Sequence, residues 1–337
     1  MADVLFLTHE RYLDHDLGRG HPERPDRLRA VLEGVERAGL GEALIPVAPR
    51  AATPAELGQV HAGALVEGIA ALSAAGGGWI DADTAAGADS YDAAVLAAGA
   101  GLTAVDELNA GRAGSAFCAV RPPGHHATPT RAMGFCLFNN VAVTAAALAA
   151  QGERVMIVDY DAHHGNGTQD AFWSDGRVAY VSYHQYPLYP GTGALRDHGA
   201  GAGLGSTINL PLPAGATGDA YRLGVDEVIA PFAERFDPTW LLISAGFDAH
   251  RADPITDLGL SAGDYSGLTA SLLALVPDGR RIVFLEGGYD LAALRDSATA
   301  CIAAMAGEQV VPEPVTGHGP GREAVDAAAL AQHQLEG

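Results

Sequence analysis

The stretch Val155-Met156-Ile157-Val158-Asp159-Tyr160-Asp161-Ala162-His163-His164-Gly165-Asn166-Gly167 decides how the rest of the chain is read. Its apolar opening suits a central strand covered on both faces, and parallel α/β sheets carry their chemistry beyond the carboxyl ends of such strands. Side chains two apart in an extended segment share a face, so Asp159, Asp161 and His163 point one way while Tyr160, Ala162 and His164 point the other. Two carboxylates and an imidazole therefore converge, with His164 turned away. A turn whose Asp and Asn residues merely satisfy backbone groups has the same composition. The stretch gains its meaning from what stands elsewhere in the chain.

Other apolar runs have the same form. Val4-Leu5-Phe6-Leu7, Ala116-Phe117-Cys118-Ala119-Val120, Val178 to His184, Trp240 to Ala245 and Ile282-Val283-Phe284-Leu285 read as strands. Between them lie helical patterns: one after the prolines of His21-Pro22-Glu23-Arg24-Pro25, Ala-rich ones around 62–75 and 91–110, and others at 138–150, 219–235, 261–276 and 290–305. Thr53/Glu56 and Ser261/Asp264 have capping-box spacing. Strands alternating with helices predict one α/β domain over 1–311, a mainly parallel sheet with helices on both faces and the active site at the carboxyl ends of the strands. The tail 312–337, rich in Gly, Pro, Ala and charge, has little to bury and is expected to pack poorly.

The reactive residues follow the strand ends. His125 and His126 leave one strand through Arg121-Pro122-Pro123-Gly124, where two prolines and a glycine preset the backbone. Asp248 follows Trp240 to Ala245, and Tyr289 follows the last strand after Glu286-Gly287-Gly288. Four separate elements thus deliver chemistry to one edge, which turn composition alone does not explain.

With 41 acidic against 20 basic residues the formal charge is -21, a field that repels phosphate backbones and argues against nucleic acid as a direct partner. No apolar run is long enough to cross a bilayer, and Met1-Ala2-Asp3 lacks the basic region of a secretory signal, so the expectation is a cytoplasmic protein that does not enter membranes. Three scattered cysteines, Cys118, Cys136 and Cys301, form no CxxC pair and read as small buried hydrophobes.

Asp161, His163 and Asp248 together would hold one divalent ion. Three protein ligands and an open position make the layout of a catalytic zinc site, and the oxygen-rich set also accepts iron or manganese. Such an ion activates water and polarises a carbonyl. His125 or His126 would move the proton, and the Tyr289 phenol, after two flexible glycines, would swing in to donate to the developing oxyanion. That set of groups hydrolyses an amide.

Six segments carry a resemblance: Arg121-Pro122-Pro123-Gly124-His125-His126, Met133-Gly134-Phe135-Cys136-Leu137-Phe138-Asn139-Asn140, Asp159 to Thr168, Tyr189-Pro190-Gly191-Thr192-Gly193, Ala245-Gly246-Phe247-Asp248 and Glu286-Gly287-Gly288-Tyr289. In this order, over roughly residues 5 to 305, the chain resembles the zinc-dependent histone deacetylase family, including bacterial deacetylase-like amidohydrolases and acetylpolyamine amidohydrolases. The resemblance implies one Zn2+ per chain on Asp161, His163 and Asp248, with His126 as general base and acid, His125 as its electrostatic partner and Tyr289 as oxyanion donor. It implies that Asp159 orients His125 and that Asn166 orients His126. An Asn there looks class II-like, and since it brings no charge it should leave His126 with a lower pKa than an Asp would.

The resemblance further implies a substrate tunnel at Gly134, Phe135 and Tyr189, with Asp83 on its rim, and a structural potassium ion near Asp159, Asp161, His163, Ser182 and Tyr183. Ile255, in Asp253-Pro254-Ile255, stands where the polyamine-selective eukaryotic member has a glutamate, so charge at that position does not select a second ammonium. The implied substrate is an acylated amine, either an acetyl-lysine peptide or an acetylpolyamine. A homo-oligomer is left open, with the loops around 10–20 and 76–90 as the places where a partner would shape the tunnel mouth.

Two other readings stand beside this one. An arginase-like ureohydrolase would need a bridged manganese pair and two more carboxylates, at positions that here hold Gly165 and His250. A protein of the acetoin-utilisation type, or a sensor of acylated ligands, would bind without turnover. The joint presence of Tyr289 and both histidines weighs against mere binding.

Overall fold

The computed structural model describes residues 3–18 and 20–335; Met1, Ala2 and Arg19 of the 18–20 loop lie outside that range, as do Glu336 and Gly337. Eight strands form one sheet: β1 (Val4–Leu7), β2 (Leu44–Val47), β5 (Ser115–Cys118), β6 (Val155–Asp159), β7 (Val178–Gln185), β8 (Thr207–Leu212), β9 (Trp240–Ala245) and β10 (Arg281–Leu285). Their order is β2-β1-β5-β10-β9-β6-β7-β8, and every neighbouring pair is parallel. The remaining two strands, β3 (Gly77–Trp79) and β4 (Ala85–Gly87), make a short antiparallel ribbon inside what the sequence presents as a loop.

Every residue of β5, β6 and β9 is buried, as continuous apolar runs covered on both faces require. The helices that cover them include Asp26–Arg37, Ser90–Asn109, Asn140–Ala150, Ala262–Leu273 and Leu291–Ala306. Both capping boxes form: the Thr53 and Ser261 hydroxyls accept the N–H of Glu56 and Asp264, whose carboxylates accept in return.

The edge strands are the ones the sequence pattern hides. β2 is mostly half-exposed and contains Pro46, and β8 contains Pro211; proline cannot donate to a ladder and is confined to sheet margins. The expected helix at 219–235 is Gly218–Gly224 and Ala230–Phe236 joined through a π turn at Val225–Ile229, next to Pro231.

The tail departs from expectation. Rather than packing poorly, it carries the helix Arg322–Leu335, which buries Val325 and Ala328 against the β8 side of the sheet. The segment before it is tied down: Glu313 accepts from Arg251 and pairs with His250, and the Asp264 carboxylate accepts the N–H and hydroxyl of Thr316. Composition alone misses this, because two or three apolar residues at helical spacing suffice when a receiving surface is already in place.

Among the described residues no helix is long and apolar enough to cross a membrane. All three cysteines are free and buried.

Candidate active site

The four strands that end in reactive residues stand side by side at the centre of the sheet, in the order β5-β10-β9-β6. His125 and His126 therefore come from one side, Asp161 and His163 from the other, and Asp248 and the Glu286–Tyr289 turn from between. Carboxylates from one strand end hold the backbone of another. Asp248 Oδ1 accepts the Ala162 N–H at 2.8 Å, and Asp161 Oδ2 accepts the Gly287 N–H at 2.8 Å. A Cβ on Gly287 would lie 2.3 Å from Asp248 Oδ2 and 2.6 Å from Asp161 Oδ2, so only glycine lets this turn approach both carboxylates.

Three donors meet at one point. His163 Nδ1 is 3.0 Å from Asp248 Oδ2 and 3.2 Å from Asp161 Oδ1, and all three residues are buried. Their ligand atoms lie within 4.8 Å of one another, the single group of three or more His, Cys, Asp or Glu among the described residues that could hold a metal ion. Two buried carboxylates facing one imidazole call for a cation, because like charges out of water disfavour ionisation of both. The electrostatics agree: burial and the neighbouring Asp161 charge push the Asp248 carboxyl up. For His163, burial lowers the imidazole pKa, but hydrogen bonds to Asp161 and Asp248 outweigh it and hold the value up to about 10. The donor set thus fits a divalent ion.

Next to it the two histidines are oriented differently. His125 Nδ1 is 2.9 Å from Asp159 Oδ2, which also accepts the Tyr180 hydroxyl at 3.0 Å. Burial lowers the pKa of His125, while Asp159 and Asp161 raise it further, to about 10. His126 Nδ1 is 2.9 Å from Asn166 Oδ1. An amide oxygen only accepts, so the proton sits on Nδ1 and Nε2 is left as a free base. Burial, and then the charges of His125 and His163, push the His126 pKa well below its ordinary value. The Asp161 charge and the hydrogen bond to Asn166 pull the other way and are outweighed. His164 is turned away, between Thr192 and Gln169.

Above these groups runs a cavity of about 250 Å3 lined by Asp83, His126, Gly134, Phe135, His163, Leu188, Tyr189, Ile255 and Tyr289. Every residue the sequence assigns to substrate contact is on this wall. Gly134 has φ 57°, and a Cβ there would sit 2.4 Å from His126 Cδ2, so glycine lets the wall close against the histidine. Phe135 has φ 67°, rare for a side chain with a Cβ; its N–H is accepted by the Thr84 hydroxyl oxygen at 3.1 Å, and that hydroxyl donates to Asp83 at 3.0 Å. The rim and the wall are therefore one hydrogen-bonded unit. A wider chamber of about 600 Å3, lined by His21, Trp79, Asp83 and Phe135 among others, adjoins the mouth.

Tyr289 and its turn are contacted from a distant helix. The Arg27 guanidinium lies 4.9 Å from its ring centre and donates to the carbonyls of Glu286 and Gly288. Arg27 is itself held by the buried Glu23, which also pairs with Arg121. Burial raises the phenol well above its ordinary pKa, so it is protonated and able to donate. Arg27 and Glu286, whose carboxylate accepts the N–H of Gly124 and His125, were missed as supports of the site. Glu286 stood in a quoted motif, and the acid between an apolar run and two glycines was the available signal. Ser182 and Tyr183, named for a potassium site, spend their hydroxyls on His184 and on the Tyr221 carbonyl. The two positions that a second, bridging ion would need hold Gly165, with Asp159 against it, and His250, which faces Glu313.

A parallel sheet brings two carboxylates and an imidazole, a set that could hold a metal ion, to its central strand ends beneath a narrow tunnel with two more histidines and a tyrosine, the groups that hydrolytic chemistry uses. Residues 21–305 match the family described as histone deacetylase domain. The chain is 40% identical over 308 residues to a probable deacetylase of Archaeoglobus fulgidus, covering 89% of this chain and 86% of that one. It is 37% identical over 294 residues to a histone deacetylase-like amidohydrolase of Pseudomonas aeruginosa, covering 86% and 77%. With histone deacetylase 15 of Arabidopsis thaliana it shares 42% over 295 residues, 86% of this chain but 53% of that protein. The crystal structure of the HDA15 HD domain superposes with a TM-score of 0.91 at 37% identity, covering 98% of this chain and 95% of that one. The chain belongs to the histone deacetylase family and is an enzyme of its deacetylase and amidohydrolase kind.

Proposed function

We propose that this chain is a zinc-dependent amidohydrolase that removes an acetyl or other short acyl group from an acylated amine. The observation that carries the reading is the joint placement of Asp161, His163 and Asp248 under a tunnel whose walls hold the His126 imidazole and the Tyr289 phenol. A divalent ion on those three residues supplies a Lewis acid for water and for the acyl oxygen. The tunnel admits a linear acyl-amine and excludes bulk water, with Phe135 and Tyr189 lining it. His126 takes a proton on Nε2 from the attacking water and returns it to the leaving nitrogen; Asn166 keeps the ring in the required tautomer. His125, held charged by Asp159, lies 4.0 Å from His126 between ring centres; burial first, and then that positive charge, keep His126 a free base. Tyr289 donates to the oxyanion as the carbonyl becomes tetrahedral.

Asp83 on the rim binds the amine side of the substrate, and the apolar Ile255 supports acceptance of acetyl-lysine peptides as well as acetylpolyamines. A potassium ion beside Asp159 belongs to this reading through the family resemblance, and a cytoplasmic location belongs to it as an expectation from the sequence. The test is a panel of acetyl-lysine peptides, acetylpolyamines and small N-acyl amines, run on zinc-loaded and chelator-treated protein. Turnover of at least one, lost on chelation and restored by zinc, is expected. No turnover of any by the zinc-loaded protein would end the proposal.

A further inference from the structure

The two residues that close one side of the tunnel, Tyr289 and Ile255, come from different loops, after β10 and after β9. One side chain touches the backbone of both. Asp253, 6% exposed, accepts the Tyr289 N–H at 2.7 Å and the Asp290 N–H at 3.2 Å on Oδ2, and the Ile255 N–H at 3.2 Å on Oδ1. Its own N–H donates to the His250 carbonyl at 2.8 Å, which fixes the carboxylate relative to the Asp248 loop. The same turn is gripped from its carbonyl side, where Arg27 takes the oxygens of Glu286 and Gly288. A cation on the carbonyls and a carboxyl group on the amides thus hold the Gly287-Gly288-Tyr289 turn from opposite sides. With glycines at two of these positions, and φ 119° at Gly288, the turn has little intrinsic stiffness of its own.

The geometry points to Asp253 as a positioning residue that sets the Tyr289 hydroxyl over the scissile carbonyl and locks that side of the tunnel to the Ile255 loop. It touches no substrate and acts through Tyr289. The inference rests on the hydrolase reading above. An oxyanion donor must meet the oxygen where charge develops, and a displacement of about 1 Å costs on the order of 10²-fold. An amide in place of the carboxylate keeps the volume but turns an N–H2 toward one of the two sets of N–H groups, so one loop must move.

The experiment is a double-mutant cycle on the zinc-loaded full chain, with an acetyl-lysine peptide and an acetylpolyamine as substrates. Asp253→Asn is expected to lower kcat about 10- to 100-fold, with KM changed less than about threefold and zinc still one per chain. In a Tyr289→Phe background, Asp253→Asn should cost less than about twofold more, because the group it positions is already gone. Asp253→Ser, which keeps one acceptor in a smaller side chain, is read the same way if the amide variant does not fold. Additive losses would overturn the inference, as would a fall in kcat that follows lost zinc. Failure of both variants to fold would make Asp253 a folding residue and also overturn it. A wild-type chain inactive on every acylated amine brings down the hydrolase reading and this one together, whereas active wild type with additive losses brings down this one alone.

Discussion

His126 and Tyr289 do their work through protonation states that their surroundings impose. The imidazole is buried beside two other histidines and tied at Nδ1 to a neutral amide, so it is a base with Nε2 free; the half-buried phenol is raised by desolvation and stays protonated. Replacing Tyr289 by Phe removes one oxyanion donor without touching a carboxylate. The expected outcome is a kcat loss of about 10²- to 10³-fold with one zinc retained per chain, measured by steady-state kinetics and metal analysis. His126→Ala should likewise keep the metal and lose turnover. Retained activity in either variant would refute the role given to it. Most of these residues are legible in the sequence, because ligand-type and acid-base residues next to apolar runs stand out. Arg27 and Asp253 are not, since a buried charge is recognised by its partners and those come from distant segments.

At the level of elements, the tunnel wall is a turn with two left-handed residues in succession, Gly134 and Phe135, braced by Thr84 from the loop between β3 and β4. Gly134→Ala puts a methyl 2.4 Å from His126 Cδ2 in a backbone region costing roughly 1–2 kcal/mol for an L-residue. We expect kcat for acetyl-amide hydrolysis to fall by an order of magnitude or more, with zinc content unchanged; wild-type kinetics would remove the wall from the mechanism. The edge strands mark the other limit of sequence reading. β2 and β8 include prolines and β2 has partial exposure, features that argue against strands when taken one segment at a time but suit sheet margins once neighbours exist.

For the whole molecule, the tail and the metal bear on stability. Glu313 accepts the Ala262 N–H and pairs with His250 and Arg251; burial pushes its carboxyl up, but these partners outweigh it and hold the pKa down to about 2. A depressed folded value means the contribution is complete above the ordinary carboxyl range near 4.5 and disappears as pH falls toward 2. The difference in Tm between wild type and Glu313→Gln should therefore be full at pH 6 and shrink across that window; a pH-independent difference would contradict it. Val325→Ala, at a fully buried position of the tail helix, should cost about 2 kcal/mol in chemical denaturation, and a change within error would mean that the helix is not docked. Titrating metal-free protein should bind one equivalent of zinc and raise Tm, since an ion bound only by the folded state adds RT ln(1 + [L]/Kd), about 4 kcal/mol at 1,000 times Kd. Two equivalents would favour a binuclear centre.

Local order along the chain determines much of this protein. Apolar runs that bury both faces of a strand, the alternation with helices and the residues just past each run define a parallel sheet whose chemistry gathers at one edge, because side-chain direction in a strand follows from spacing alone. Only the tertiary structure decides which strands are neighbours, and with that the order β5-β10-β9-β6 that brings Asp161, His163 and Asp248 to one point. It also decides that the Gly287-Gly288-Tyr289 turn is clamped and that the tail is docked. Those outcomes depend on contacts between segments far apart in sequence, whose free energy exists only once the receiving surface has formed.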